Sequence, residues 1–280
     1  MPIFDSLKYL ELTLSDHILT VAINRPDQAN SLHLPAWEEL RLAFTQVSTI
    51  PAVRVVILKG NGKHFCAGMD LQVLMSLSQS DENCEAKRRM ELKGFVTHLQ
   101  QCVSAIADCQ VPVIGSIHGA CIGGGINIAA ACDMTYGLDT ARLSIKEVSL
   151  GMVADLGVLQ RLPRSVHPGL MADIAYTGRE FSGTEAAKIG VISEAFDTME
   201  ALDGKVHAMA SQIASQSPLV IHGIKEMLKY QADHTLSDSL HAMSLWNSAF
   251  LLSEDIQEAF LSQMEKRKPL YQDLDILDKF

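Results

Sequence analysis

The 280-residue chain contains no apolar run of the roughly 18–20 residues that a membrane-spanning helix needs. Low-complexity stretches are few and no internal repeat is evident, so a folded, soluble domain with 48% hydrophobic content is expected. Long basic runs are also missing. With a net charge of −10, and nothing longer than Lys87-Arg-Arg89 and Lys266-Arg-Lys268, nucleic acid is not an expected partner. The 6 cysteines (Cys66, Cys84, Cys102, Cys109, Cys121 and Cys132) form no C-x-x-C pair and have no matching histidine spacing. No metal site is expected, and reduced, mostly buried thiols are the simplest account. The opening Met1-Pro-Ile-Phe-Asp-Ser6 lacks the charged start and apolar stretch of a secretory signal, and Asp278-Lys-Phe280 is no peroxisomal address. A cytoplasmic location is the expectation.

Two glycine signatures are absent as well. The glycines at 119, 123, 124 and 125 do not fit G-x-G-x-x-G, and no Lys-Ser or Lys-Thr follows them, so a nucleotide-phosphate cradle is not expected.

What is present begins with two alternating apolar stretches in residues 7–23, which predict a hairpin about Ser15-Asp16. A turn at 24–28 precedes an amphipathic helix opened by Leu34-Pro-Ala-Trp37. Strands are expected at 53–58, 64–66 and 111–117, with short ones near 133–137 and 143–146. A long helix covers 84–108. From Ser182 onward the pattern reads as wholly helical, near 182–188, 202–215, 218–232, 237–252 and 254–267. Alternating strands and helices followed by helices alone predict an α/β core over 1–200 and a helical region over 201–280.

Two places share one design, a strand running through glycine into a helix. They are Phe65-Cys-Ala-Gly-Met-Asp70 and Ile122-Gly-Gly-Gly-Ile126. Such a turn exposes unpaired backbone N–H groups at the helix start. Taken alone, it can serve tight packing instead. If the sheet brings the two together, one N–H from each can point at a single oxygen, and each such donor contributes about 3–4 kcal/mol to an oxyanion-like transition state. Glu147 and Asp155 follow downstream and could move protons beside it. His64 and His118 flank the turns and are read as packed, hydrogen-bonded histidines.

These segments resemble the crotonase superfamily, also called the enoyl-CoA hydratase/isomerase family. The similarity runs from Ile23-Asn-Arg-Pro-Asp-Gln-Ala-Asn-Ser-Leu32 through His64-Phe-Cys-Ala-Gly-Met-Asp70 and His118-Gly-Ala-Cys-Ile-Gly-Gly-Gly125 to Thr177-Gly-Arg179. The resemblance implies a ββα spiral fold whose C-terminal helices build a homotrimer or homohexamer. It implies an acyl-CoA substrate, with no cofactor beyond the coenzyme A that the substrate carries. It places the thioester oxygen between the N–H groups of Met69 and Gly124. Ala29, Ala67, Gly68, Asp70, Leu71 and Gly123 would line the substrate, with Lys266 or Lys268 reaching a neighbour's CoA phosphate.

Hydratases of the family use two glutamates, and here the first of those positions is Asn127. An amide exchanges no proton near neutral pH, so two-glutamate water addition is not supported. The segments Ile145-Lys-Glu-Val148 and Ala154-Asp-Leu-Gly-Val-Leu-Gln-Arg-Leu-Pro163 are similar to the Δ3,5-Δ2,4-dienoyl-CoA isomerases. So are Pro35-Ala-Trp37 and Ser239-Leu-His-Ala-Met-Ser-Leu-Trp-Asn247. The resemblance makes Glu147 and Asp155 the acid–base pair, beside Asn127 where that subfamily usually carries an aspartate. Taken alone, Glu147 would read as a surface carboxylate, Asp155 as an N-cap of a helix over 156–162, and Asn127 as a plain helix residue. Enoyl-CoA hydration through Glu147 alone, a single double-bond shift, or CoA binding without turnover are the alternatives.

Overall fold

The computed structural model describes residues 7–47, 49–76 and 84–274. The end segments read above for targeting signals, 1–6 and 278–280, lie outside the described residues. The hairpin forms as the alternation predicts, with β1 (Leu10–Ser15) antiparallel to β2 (Ile18–Ile23). Its two-residue turn, Asp16-His17, has φ of 50° and 64°. Positive φ at both central residues gives the turn the twist that matches the strands.

After β2 the chain enters α1 (Leu34–Val47), β3 (Val55–Gly60), α2 (Leu71–Ser76) and the long α3 (Glu85–Asp108). Then come β4 (Val113–Ile117), β5 (Ala120–Ile122), α4 (Gly124–Ala129), β6 (Met134–Leu138) and β7 (Arg142–Ser144). Next are α5 (Val158–Arg161), α6 (Pro168–Thr177), β8 (Phe181–Ser182), α7 (Gly183–Ile189) and β9 (Glu194–Phe196). Four helices end the described residues: α8 (Met199–Ala214), α9 (Pro218–Tyr230), α10 (Leu236–Phe250) and α11 (Glu254–Met264). The main sheet is ordered β1-β2-β3-β4-β6-β9 and is parallel beyond its first pair. A smaller sheet, β5-β7-β8, lies beside the glycine turns.

Parallel strands buried on both faces read as unbroken apolar runs, and β3 shows why. Its Val56 and Leu58 join the core that holds Trp37, Phe44, Val103 and Ile106 from α1 and α3. Its Val55 and Ile57 face the other way, against Leu202, Val206 and Ala210 of α8. The helix that opens the C-terminal region thus shares a core with the sheet.

Two expectations needed correction. Residues 64–66 form no strand of their own; Cys66 makes a single bridge to Cys121, while the N–H groups of Phe65 and Cys66 bond the carbonyls of His118 and Ala120 at 2.8 and 2.9 Å. The region beyond Ser182 is not strandless, because β9 completes the main sheet. Strands of two or three residues are too short to show a period in sequence.

Candidate active site

The same backbone bonds tie the two glycine turns together. A Cβ on Gly68, whose φ is +90°, would lie 2.6 Å from the Ile122 carbonyl oxygen and 2.9 Å from the Gly124 nitrogen. One on Gly124 would meet the Trp37 ring at 3.0 Å and the Gly68 Cα at 3.3 Å. Only glycines permit this approach, so the turns touch backbone to backbone. Leu32 bridges to the first turn by donating to the Gly68 carbonyl and accepting from the Asp70 N–H, at 2.7 and 3.0 Å. That pairing uses the Gly68 carbonyl and the Asp70 N–H on either side of Met69 and does not engage the Met69 N–H. Among the described residues no acceptor is bonded to the Met69 or Gly124 N–H. Both residues line one cavity of about 1050 Å³.

Glu147 sits on a 3-10 turn (Lys146–Leu150) that Gly151 ends in the left-handed conformation, with φ of 73°. Its Oε1 accepts from Asn127 Nδ2 at 3.0 Å, and its Oε2 is buried with no partner. Burial pushes its carboxyl pKa up, and the negative charge of Asp155 adds to the shift against the pull of the Asn127 amide. Burial raises the Asp155 carboxyl too. Asp155 caps no helix: Gly157 is the N-cap of α5, and the Asp155 carbonyl accepts from Gln100 Nε2 at 2.8 Å. Its carboxylate is left to the cavity, which both acids line.

Of the residues expected to bind substrate, Ala67, Met69, Asp70, Leu71, Gly123 and Gly124 line this cavity, with Glu147 and Asp155. Asn127 and Gly68 stand behind the wall, Asn127 with no exposed surface. Ala29 holds the first turn from outside, its carbonyl accepting from the Ala67 N–H at 3.0 Å. Lys266, just past α11, is not among the residues lining the cavity of its own chain. His118 is buried and its Nε2 bonds the Gly62 carbonyl, while His64 Nδ1 accepts from the Ala120 N–H. Both are packing residues.

Two features escaped the sequence reading. Leu92, Phe95, Val96 and Leu99 make an apolar wall along one face of α3. Their i, i+3, i+4, i+7 spacing is the signal that could have found it. Arg25 and Asp70 also line the cavity and pair at 3.3 Å; forty-five residues separate them, and no local pattern links them. Glu38, His98 and Cys102 cluster between α1 and α3 as metal ligands can. Arg41 already engages both Glu38 oxygens, and burial holds the Cys102 thiol up at about 11, so the cluster reads as helix packing.

A spiral α/β core with two touching glycine turns beside two carboxylates defines an enzyme class. Residues 13–274 match the family described as enoyl-CoA hydratase/isomerase, and the chain belongs to it. Among curated relatives, the Δ3,5-Δ2,4-dienoyl-CoA isomerase of Arabidopsis thaliana, named as peroxisomal, is 39% identical over 97% of this chain and 98% of its own length. The mitochondrial dienoyl-CoA isomerase of Mus musculus is 36% identical over 90% of this chain and 77% of its own. Among solved structures, an enoyl-CoA hydratase from Bacillus anthracis is 30% identical, with a TM-score of 0.86 over 95% of this chain and 99% of that one. The protein is an enzyme of crotonase fold.

Proposed function

We propose that the protein is an acyl-CoA isomerase that converts 3,5-dienoyl-CoA to 2,4-dienoyl-CoA. The observation that carries this reading is the pair Glu147 and Asp155 on one apolar cavity, with an amide rather than a second glutamate at 127. The N–H groups of Met69 and Gly124 hold the thioester oxygen and stabilise the dienolate. One proton leaves C2 and one is added at C6, so each double bond moves by one carbon. Those carbons lie far apart along a flat dienolate, which suits two carboxyl groups better than one. Their raised affinity for protons matches exchange near neutral pH. No group beyond the substrate's own coenzyme A is required, because only protons move.

The exposed apolar faces of α9, α10 and α11 support assembly as a homotrimer or a pair of trimers. Light scattering on the purified protein gives the copy number.

Side-by-side assay on 3,5-dienoyl-CoA and 2-enoyl-CoA tests the main reading. Isomerisation at the higher rate is expected. Hydration without isomerisation would favour a hydratase, a reading that the hydratase-named relatives keep in play. Thermal stabilisation by CoA with no turnover on either would favour a binding role.

A further inference from the structure

We propose that Gln100 and Arg161 are positioning residues that moor the Asp155 segment to α3, so that an acyl tail packed on α3 seats Asp155 and chain length is read in kcat. The inference rests on the isomerase reading above and deepens it.

Among the described residues, Val153, Ala154, Asp155 and Leu156 make no backbone–backbone hydrogen bond. The segment that carries one acid of the site is therefore fixed by neither sheet nor helix. Two side chains hold it instead. Gln100 Nε2 donates to the Asp155 carbonyl and Arg161 Nη1 to the Leu156 carbonyl, at 2.8 and 3.1 Å. A carbonyl only accepts, so the Gln100 amide must turn its NH₂ end to Asp155. Arg161 Nη2 donates to Ser104 Oγ at 3.2 Å, which ties the second carbonyl to α3 as well. The Arg161 side chain makes no other hydrogen bond or ion pair among the described residues. Its half-buried guanidinium thus serves a carbonyl and a hydroxyl rather than a carboxylate. Gly157, with φ of +109°, makes room for it, because a Cβ there would overlap Arg161 Nη1.

Both moorings lie on a stripe of α3 that begins in the cavity wall. Leu92, Val96, Gln100 and Ser104 are spaced by four, so they follow one another along one side of the helix. Leu92 and Val96, with Phe95 and Leu99, wall the cavity, while Gln100 and Ser104 hold the segment beyond it. With the thioester oxygen at Met69 and Gly124, a tail that extends past the reacting carbons lies against this wall. Packing there orders the same side of the helix that fixes Asp155. The tail's binding energy is then spent on orienting an acid, and not only on tighter binding. A short acyl group leaves the wall empty, and Asp155 stays on an exposed loop held by two side chains.

The test measures kcat and KM on 3,5-octadienoyl-CoA and 3,5-dodecadienoyl-CoA. It compares the full chain with Gln100→Ala, Gln100→Glu, Arg161→Lys and Arg161→Met. Gln100 is exposed, so its replacement leaves the core intact. The parent should turn over the longer substrate faster at saturation. Gln100→Ala should lose about fivefold to tenfold in kcat on that substrate, the worth of one net hydrogen bond, with KM within about twofold. Its preference for the longer chain should vanish from kcat. Gln100→Glu keeps the length without the donor and should fall alike. Arg161→Lys keeps a donor and should retain more kcat than Arg161→Met. Amide hydrogen exchange in residues 152–158 gives a readout free of turnover. Dodecanoyl-CoA should slow it more than CoA alone does in the parent, and no more than CoA alone in Gln100→Ala. Unchanged kcat in both Gln100 variants would overturn the proposal, as would a loss confined to KM or a parent kcat indifferent to chain length. Equal protection by dodecanoyl-CoA in the parent and in Gln100→Ala would overturn it too. A parent inactive on both dienoyl substrates would instead overturn the isomerase reading, while the exchange measurement still decides for or against the mooring.

Discussion

The sheet region and the last three helices of this chain treat apolar residues in opposite ways. Between β1 and α8, large side chains such as Trp37, Phe44 and Phe65 have no exposed surface. In α9 and α11 only Gly223 and Ser262 are buried, and α10 buries no residue. Leu252, Met264 and Leu236 are 91%, 82% and 77% exposed. The helices are well built locally: Ser217 and Thr235 cap α9 and α10, and Trp246 packs at Gly223. Burial of an apolar face is the main stabilising term for a helix, and these faces lack it within one chain. The difference teaches that the first region holds the site and its own core, while the second leaves an apolar surface uncovered in the single chain.

The largest effects should fall on catalysis in the first region. Glu147→Gln or Asp155→Asn should lower isomerisation about 10²–10⁴-fold with the association state unchanged, read by steady-state rate and light scattering. A fall in association would blur the division. Next, Gly68→Ala should cost about 10²–10³-fold in kcat, because the added methyl would crowd the Gly124 N–H. An active Gly68→Ala enzyme would remove that N–H from the mechanism.

Stability separates the regions further. Phe44→Ala should cost about 3–5 kcal/mol in denaturant unfolding. Leu252→Ser should change the stability of the isolated subunit by less than about 0.5 kcal/mol and weaken assembly instead. Equal destabilisation by both would break the comparison.

The smallest effect concerns pH. Burial raises the Glu147 and Asp155 carboxyls, so the folded state prefers them protonated. Their contribution is full at acid pH, below the ordinary carboxylate range, and is lost as pH rises through the raised values. Glu147→Gln should therefore melt at a higher temperature than the parent near neutral pH, by a gap that closes on acidification. A gap that widens on acidification would contradict the burial.

Much of the site was legible because it is local. The first turn depends on the single Gly68 and the second on three consecutive glycines, and Glu147 and Asp155 stand one short segment apart. The α3 wall was legible in principle, since its spacing is helical. The Arg25–Asp70 pair and the bond from Val158 to Asn127 join residues 45 and 31 positions apart, which no local pattern records. Strand β9 is three residues long, and only its pairing with β6 marks it as a strand.

By itself the sequence determined the α/β order, the two glycine turns and the acids beside them, because backbone conformation and side-chain period are local properties. Only the tertiary structure decided that the turns touch, that the buried Asn127 amide points its donors at Glu147, and that α8 belongs with the sheet. Those facts depend on which distant groups meet out of water, where an unpaired donor or acceptor is costly and orientation is forced.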